Sequence, residues 1–153
     1  MVNEFLNNEL LNIVIKQFKL DIDGEHGINH WLKVYQNCLM LAEHYEVSSE
    51  VFELFSLLHD SKREDEYTDI NHGKRAALFV NDLIKEEKII ISKLDKKRLI
   101  FACSNHTKIN KNAKIYQDII VQICIDADRL DIGRVGIEPD KKYFQTQFAK
   151  NCI

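Results

Sequence analysis

The sequence predicts an all-α fold, and three observations carry that prediction. One proline and five glycines punctuate 153 residues, too few for the many turns of a β fold. Apolar residues recur at steps of three and four along most of the chain, the period of a helix with one buried face. The length suits one domain with enough core to stand without disulfides or a structural metal. The expectation is a single helical domain over residues 1–153, with about six to eight helices.

The elements follow in order. Leu6, Leu10, Val14 and Phe18 recur every four residues and define a first helix, which Asp23-Gly24 and Gly27 break. His30, Val34, Cys38, Leu41 and Tyr45 step by four, four, three and four, giving a second helix near residues 28–46. Ser48 or Ser49 can cap a third, with Glu50 and Glu53 in its first turn and an apolar run from Val51 to Leu58. Residues 61–71 are polar and aperiodic, which predicts a loop. Ala76, Ala77, Phe79, Val80, Leu83 and Ile84 make a fourth helix, and Ile89–Ile91, flanked by lysines, reads as a helix end rather than a strand. Leu99, Ile100, Ala102 and Cys103 mark a fifth helix. Ile119 to Leu130 is a sixth, apolar nearly all round and therefore central, with Gly133 as its stop. Pro139 suits the first position of a last helix.

Charge and cysteine usage narrow the function. The chain carries 21 basic and 24 acidic residues, a net charge of -3. Such a surface repels a nucleic-acid backbone on average, so a long nucleic acid is not expected as a partner, while a small anion held in a local basic pocket is allowed. Cys38, Cys103, Cys124 and Cys152 form no C-x-x-C pair, which argues against a thiolate zinc site and a redox pair. Four reduced thiols, no basic leader and no apolar run near the roughly 20 residues that span a bilayer lead to the expectation of a soluble cytoplasmic protein with no membrane partner.

The chemistry lies in histidines and aspartates set among apolar residues. His59-Asp60 closes the apolar run of the third helix, where a carboxylate must be paired, hydrogen-bonded or bound to a cation. Asp126, Asp128 and Asp131 fall in or just after the most apolar helix. Residues two apart face nearly opposite sides of a helix, so Asp126 and Asp128 cannot serve one site. Asp128 shares a face with Val121, Cys124 and Ile132, and an ion pair from Asp126 or Asp131 to Arg129 or Arg134 is the plain alternative. His30 lies on the apolar face of the second helix, His72 opens the fourth, and His106 closes the fifth. Imidazole and carboxylate without thiolate suit Mn, Fe, Mg, Co, Ni or Zn with open positions. His26 and His44 show no such context, and His44 is expected on an exposed stretch with Glu43 and Glu46.

This ordered set, His30, then His59-Asp60, then Asp128, resembles the HD-domain superfamily of metal-dependent phosphohydrolases. The resemblance extends over residues 27–139 to a subgroup of small bacterial HD proteins. It is carried by Gly27-Ile28-Asn29-His30-Trp31, by Phe55 to Arg63, by Asp69-Ile70-Asn71-His72-Gly73-Lys74-Arg75-Ala76-Ala77, by Ala102 to Thr107, and by Asp126 to Pro139. The resemblance implies a helical bundle around one or two divalent metal ions. It implies His30, His59, Asp60 and Asp128 as ligands, with Asp126 in reserve, and His72 and His106 as the further histidines of a two-metal site. Many HD enzymes carry a lysine where this chain has Arg63, which can hold a phosphate bidentately. Asp60, Arg63 and Arg75 are the catalytic candidates; Lys62, Lys74 and Arg129 are further phosphate-neutralising candidates, and Asp69 a support for His72. The implied activity is hydrolysis of a nucleotide or other small phosphoester. Two-iron oxygen chemistry, and a regulatory ligand-binding module without turnover, are the alternatives.

Overall fold

The computed structural model describes residues 8–108 and 112–153. Among them run seven α-helices: α1 (Asn8–Gln17), α2 (Ile28–His44), α3 (Val51–Leu58), α4 (His72–Lys85), α5 (Lys93–Asn105), α6 (Ile119–Arg129) and α7 (Gln147–Asn151). Three short 3-10 turns cover Lys114–Gln117, Ile132–Val135 and Lys141–Tyr143, and no strand occurs among the described residues. The all-α expectation holds. Leu6 of the predicted first helix lies outside the described residues. No described helix is long and apolar enough to cross a membrane.

One core draws on every helix, from Leu10 and Val14 of α1 through Trp31, Phe55, Val80 and Leu99 to Ala149 of α7. Each large side chain buried there contributes about 1.5–3 kcal/mol. The centre is α6, which packs on α2, α3 and α5. Its Ile120, Ile123, Cys124 and Ala127 join the main core, while Val121 and Ile125 meet Tyr116 in a second cluster. That double packing explains why α6 is apolar nearly all round. At its start Asp118 accepts from the Ile120 and Val121 N–H groups, and Ser92 caps α5 through the Asp95 N–H.

Three expectations need correction. Ile89–Ile91 is neither strand nor helix end but the α4–α5 connection. The helix closes when Glu87 turns to a φ of 56° and the Lys88 N–H bonds back to the Leu83 carbonyl, a left-handed C-terminal closure. Ile89 then plugs into the core while Ile90 stays 85% exposed. Gly133 does not stop the sixth helix, which ends at Arg129 before a 3-10 turn runs through Gly133; the left-handed residue is Gly136, at φ 76°. Pro139 starts no helix. The chain after it makes only a 3-10 turn, capped by Asp140, and the short α7, capped by Thr146, because the Gln145 and Thr146 N–H groups between them bind Asp126.

Gly27 fixes the turn into α2. A Cβ there would lie 1.9 Å from the Ile22 carbonyl oxygen and 2.5 Å from its carbon, while that oxygen already accepts the Ile28 N–H at 2.9 Å. Backbone cannot yield as a side-chain tip can, so Gly27→Ala is expected to cost about 3 kcal/mol. Thermal unfolding should show a midpoint lowered by about 6–12 °C, and an unchanged midpoint would refute this role.

Candidate metal centre

Five helix ends meet at one place. The first turn of α2 brings His30, the end of α3 brings His59 and Asp60, the first residue of α4 is His72, His106 follows the last residue of α5, and Asp128 sits in the last turn of α6. Three of these are carboxyl ends, whose unpaired carbonyls carry negative partial charge and favour cations. All six side chains are buried or nearly so, Asp128 being the most open at 15%.

Helix-end carbonyls and one carboxylate decide the histidine tautomers. The His59 Nδ1–H donates to the Phe55 and Ser56 carbonyls at 3.0 and 3.1 Å. That of His106 donates to the Cys103 carbonyl at 2.7 Å, and that of His72 to the Asp69 carbonyl at 2.5 Å. The His30 Nδ1–H donates to the Asp131 carboxylate at 2.7 Å. Carbonyls and carboxylates only accept, so in every neutral ring the proton stands on Nδ1 and the Nε2 lone pair faces inward. Those lone pairs meet: His30 and His59 Nε2 lie 3.1 Å apart, and His72 and His106 Nε2 lie 2.9 Å apart.

Asp60 stands between the two pairs. Its Oδ2 lies 3.7 and 3.8 Å from the Nε2 atoms of His30 and His59. Its Oδ1 lies 3.1 and 3.5 Å from those of His72 and His106. Asp128 Oδ1 adds a second carboxylate to the first pair, 3.2 Å from His30 and 3.5 Å from His59. The donor atoms of His30, His59 and Asp60, and separately those of Asp60, His72 and His106, fall within 4.8 Å of one another. Converging lone pairs and carboxylates with no proton between them need positive charge. The set therefore fits one or two divalent ions of the kind that take imidazole and carboxylate, with Asp60 facing both positions.

The electrostatics agree. Burial pushes the Asp60 carboxyl up, but His59, His106, His26 and His72 together outweigh it and hold the group well below the usual carboxylate range. Burial likewise raises Asp128, and its bonds to His30 and His59 bring it well below that range. Burial lowers His30, yet the bonds to Asp128 and Asp131 leave it raised overall.

A cavity of about 900 Å³ opens onto this cluster and is lined by Asp60, His72, His106 and Asp128. Arg63 lines it too, with Nε 3.4 Å from Asp60 Oδ1. Other sequence candidates stand elsewhere. The Arg75 guanidinium is taken up by the Asp69 carboxylate and the Lys62 carbonyl; it ties the 61–71 loop to α4 and does not line the cavity. Lys62 lies over the Phe79 ring at 4.2 Å, and Lys74 is exposed on α4. Asp69 supports His72 through its backbone carbonyl, its carboxylate being spent on Arg75 and the Glu64 N–H. Arg129 lines the cavity but donates to the Tyr143, His106 and Lys108 carbonyls. His44 is exposed, stacked on Phe148 at 3.8 Å.

His26 corrects the expectation that it has no context. It is 4% exposed, with Nε2 on the Glu66 carbonyl and Nδ1 3.1 Å from Asp60 Oδ2. His26 stands four residues before His30, but α2 begins only after Gly27, so that step is not a helical one. Asp131, which orients His30, and Arg134, whose NH2 lies 3.9 Å from Asp60 Oδ2, likewise stand closer to the site than a mutual ion pair required.

Two outcomes follow. Asp126 faces away from the cluster, fully buried, and accepts from the Gln145 N–H, the Thr146 N–H and the Thr146 hydroxyl at 2.7–2.8 Å. Asp126→Asn sets an amide N–H₂ against those donors and should cost about 2–3 kcal/mol by urea unfolding; no loss of stability would refute its structural role. In metal-free protein, Asp60 and Asp128 stabilise above the ordinary aspartate value and lose that effect as pH falls through their lowered values. His30 stabilises below the ordinary imidazole value and loses that effect as pH rises through its raised one. The melting point of chelator-treated protein should therefore peak between about pH 4 and 6.5 and fall above it; a maximum near pH 8 would contradict these assignments.

No protein-family model matches the sequence, and no curated protein does. The fold is similar to the crystal structure of a protein described as a predicted HD superfamily hydrolase from an uncultured Thermotogales bacterium. The TM-score is 0.70 and the identity 25%, over 99% of this chain and 88% of that one. In this shared fold the helix ends deliver His30, His59-Asp60 and Asp128 in the order of the sequence motifs, so the chain is similar in fold and in site order to a protein described as a predicted HD superfamily hydrolase.

Proposed function

We propose that the protein is a metal-dependent phosphohydrolase acting on a small phosphorylated substrate of the nucleotide kind. The observation that carries this is the pairing of four inward Nε2 lone pairs with Asp60 and Asp128, a cluster that an open cavity reaches at Asp60, His72, His106 and Asp128. A structural metal site would be closed. The hydrolase description of the similar Thermotogales protein points the same way.

His30, His59, Asp60 and Asp128 would hold one ion, and Asp60, His72 and His106 a second. Divalent ions there supply a more acidic water and neutralise phosphoryl charge. The chain's own groups do the rest. Arg63, 89% shielded at its side chain, keeps a buried Nε–H without an acceptor beside Asp60, where it can bind a phosphoryl oxygen. Asp60 orients the attacking water. The water oxygen bonds to phosphorus, the bond to the ester oxygen breaks, and the released alcohol takes up the proton. Arg75 acts at a distance, by holding the loop that carries Arg63. Four free cysteines, three of them buried, suit a reducing cytoplasmic setting, and the net charge of -3 suits a small substrate rather than a long nucleic acid.

Elemental analysis and phosphate release test this together, across nucleoside phosphates and generic phosphoesters. The parent should retain divalent metal and release phosphate. His59→Ala and Asp128→Asn should lose most of the metal, Asp126→Asn should keep it, and Asp60→Ala and Arg63→Gln should lower phosphate release about a hundredfold. Equal metal in parent and His59→Ala would overturn the ligand set. A fully metallated protein that consumes oxygen with an organic substrate would be a two-iron oxygenase instead. One that binds phosphoesters without turnover would be a regulatory module.

A further inference from the structure

The cavity lining holds one arginine with an unaccepted donor, two acids without an ion pair and several apolar side chains, and we infer that the site selects phosphomonoesters whose organic part is largely apolar and carries no second negative charge. This rests on the phosphohydrolase proposal and adds the substrate class.

Cationic donors come first. Three described arginines line the cavity, and two are committed to the protein. Arg129 donates from NH1 to the Tyr143 carbonyl and from NH2 to the His106 and Lys108 carbonyls. Arg134 donates from Nε to the Glu25 carbonyl at 2.7 Å, from NH1 to the Asp131 carbonyl at 3.1 Å, and from NH2 towards His26 Nδ1 at 3.4 Å. Arg63 differs. Its NH1 donates to the Asp65 carbonyl, and its buried Nε–H has no acceptor. Spare guanidinium capacity thus stands beside Asp60, enough for one phosphoryl group next to the ion positions.

Acids and apolar side chains make up most of the remaining lining. The acids are Glu25, Glu66, Glu138 and Asp140. Lys142 neutralises Asp140 at 2.8 Å, and Glu66 approaches His26 Nε2 at 3.8 Å. Glu25 and Glu138 have no ion pair among the described residues. Ile132, Val135, Ile137, Pro139, Tyr143 and Phe144 line the same cavity. A second phosphate or a carboxylate on the substrate would find no further unaccepted guanidinium donor and would meet these acids; Glu25, Glu138 and Asp140 are exposed, so the repulsion is modest and falls with salt. An aromatic or aliphatic body meets apolar partners. Hydrolysis of such an ester needs only water: one P–O bond forms, one breaks, and the alcohol leaves with a proton.

The test compares three non-hydrolysable phosphonates by calorimetry on the metal-loaded full chain, its metal content measured before and after. Benzylphosphonate should bind about two- to fivefold tighter than para-carboxybenzylphosphonate, and the para-aminomethyl analogue should bind as tightly as the parent or better. The double variant Glu25→Gln, Glu138→Gln, with melting checked, should narrow the carboxylate penalty, as should raised salt on the unaltered protein. Equal affinity for the neutral and carboxylated compounds, or a penalty that neither the variant nor salt narrows, overturns the inference. In that case hydrolysis of phenyl phosphate by the same sample leaves the phosphohydrolase proposal standing. If benzylphosphonate does not bind and phenyl phosphate is not cleaved, both fall.

Discussion

A carboxylate buried as deeply as that of Asp60, 2% exposed, cannot stand alone, because removing an ion from water costs several kcal/mol. Five imidazoles surround it. The Nδ1 of His26 and the Nε2 atoms of His30, His59, His72 and His106 lie 3.1 to 3.8 Å from its two oxygens. Neutral imidazoles whose lone pairs point at a carboxylate do not repay that cost; protons or metal ions do. The positive charge required at the junction of the helix ends follows from the placement of Asp60, and Asp128 deepens the requirement on the His30–His59 side.

The surrounding fold holds those lone pairs in place. Each of the four Nδ1–H groups is engaged by a helix-end carbonyl or by Asp131, so a ring flip would give up a hydrogen bond. The approach of α4 to α5 is equally constrained. A Cβ on Gly73 would sit 2.5 Å from the Cys103 carbonyl oxygen and 3.3 Å from the His106 ring. Only a glycine beside His72 lets the two helices close far enough for His72 to face His106 at 2.9 Å. On the far side of α6, Asp126 anchors the Gln145–Thr146 backbone, and Arg129 bridges the chain after α5 to Tyr143. The segment that makes the apolar cavity wall is thereby tied to the helix that carries Asp128.

What was legible in the sequence follows from the same physics. The α2, α3, α4 and α6 spans could be read because one face or both are packed and the apolar spacing shows it; the opposite orientations of Asp126 and Asp128 follow from helical geometry alone. His59-Asp60 was visible as two polar residues ending an apolar run. His26 was not, because a loop places it and no periodicity governs loops. Arg75 lay in the right segment but is turned to Asp69, a choice set by the 61–71 loop conformation. Pro139 misled as a helix start because the chain after it follows hydrogen bonds to Asp126 and Asp140 rather than local propensity, and Gly133 misled as a helix stop because α6 ends at Arg129 and Gly133 lies within the 3-10 turn that follows.

The candidate site divides into two regions with different rules. Near Asp60, positions are fixed by short contacts among buried groups, and little can vary without losing the charge balance. Along residues 132–144 the wall is built from 3-10 turns and extended chain, with Ile137 53% exposed. Helix ends suit the first task, since their carbonyls orient imidazoles at no cost in new structure. Irregular chain suits the second, since its side chains can differ without moving the core. Under the proposed hydrolase reading, a fold arranged this way keeps one set of donors for the reacting group and leaves recognition of the rest of the substrate to a surface whose charge and shape are set separately.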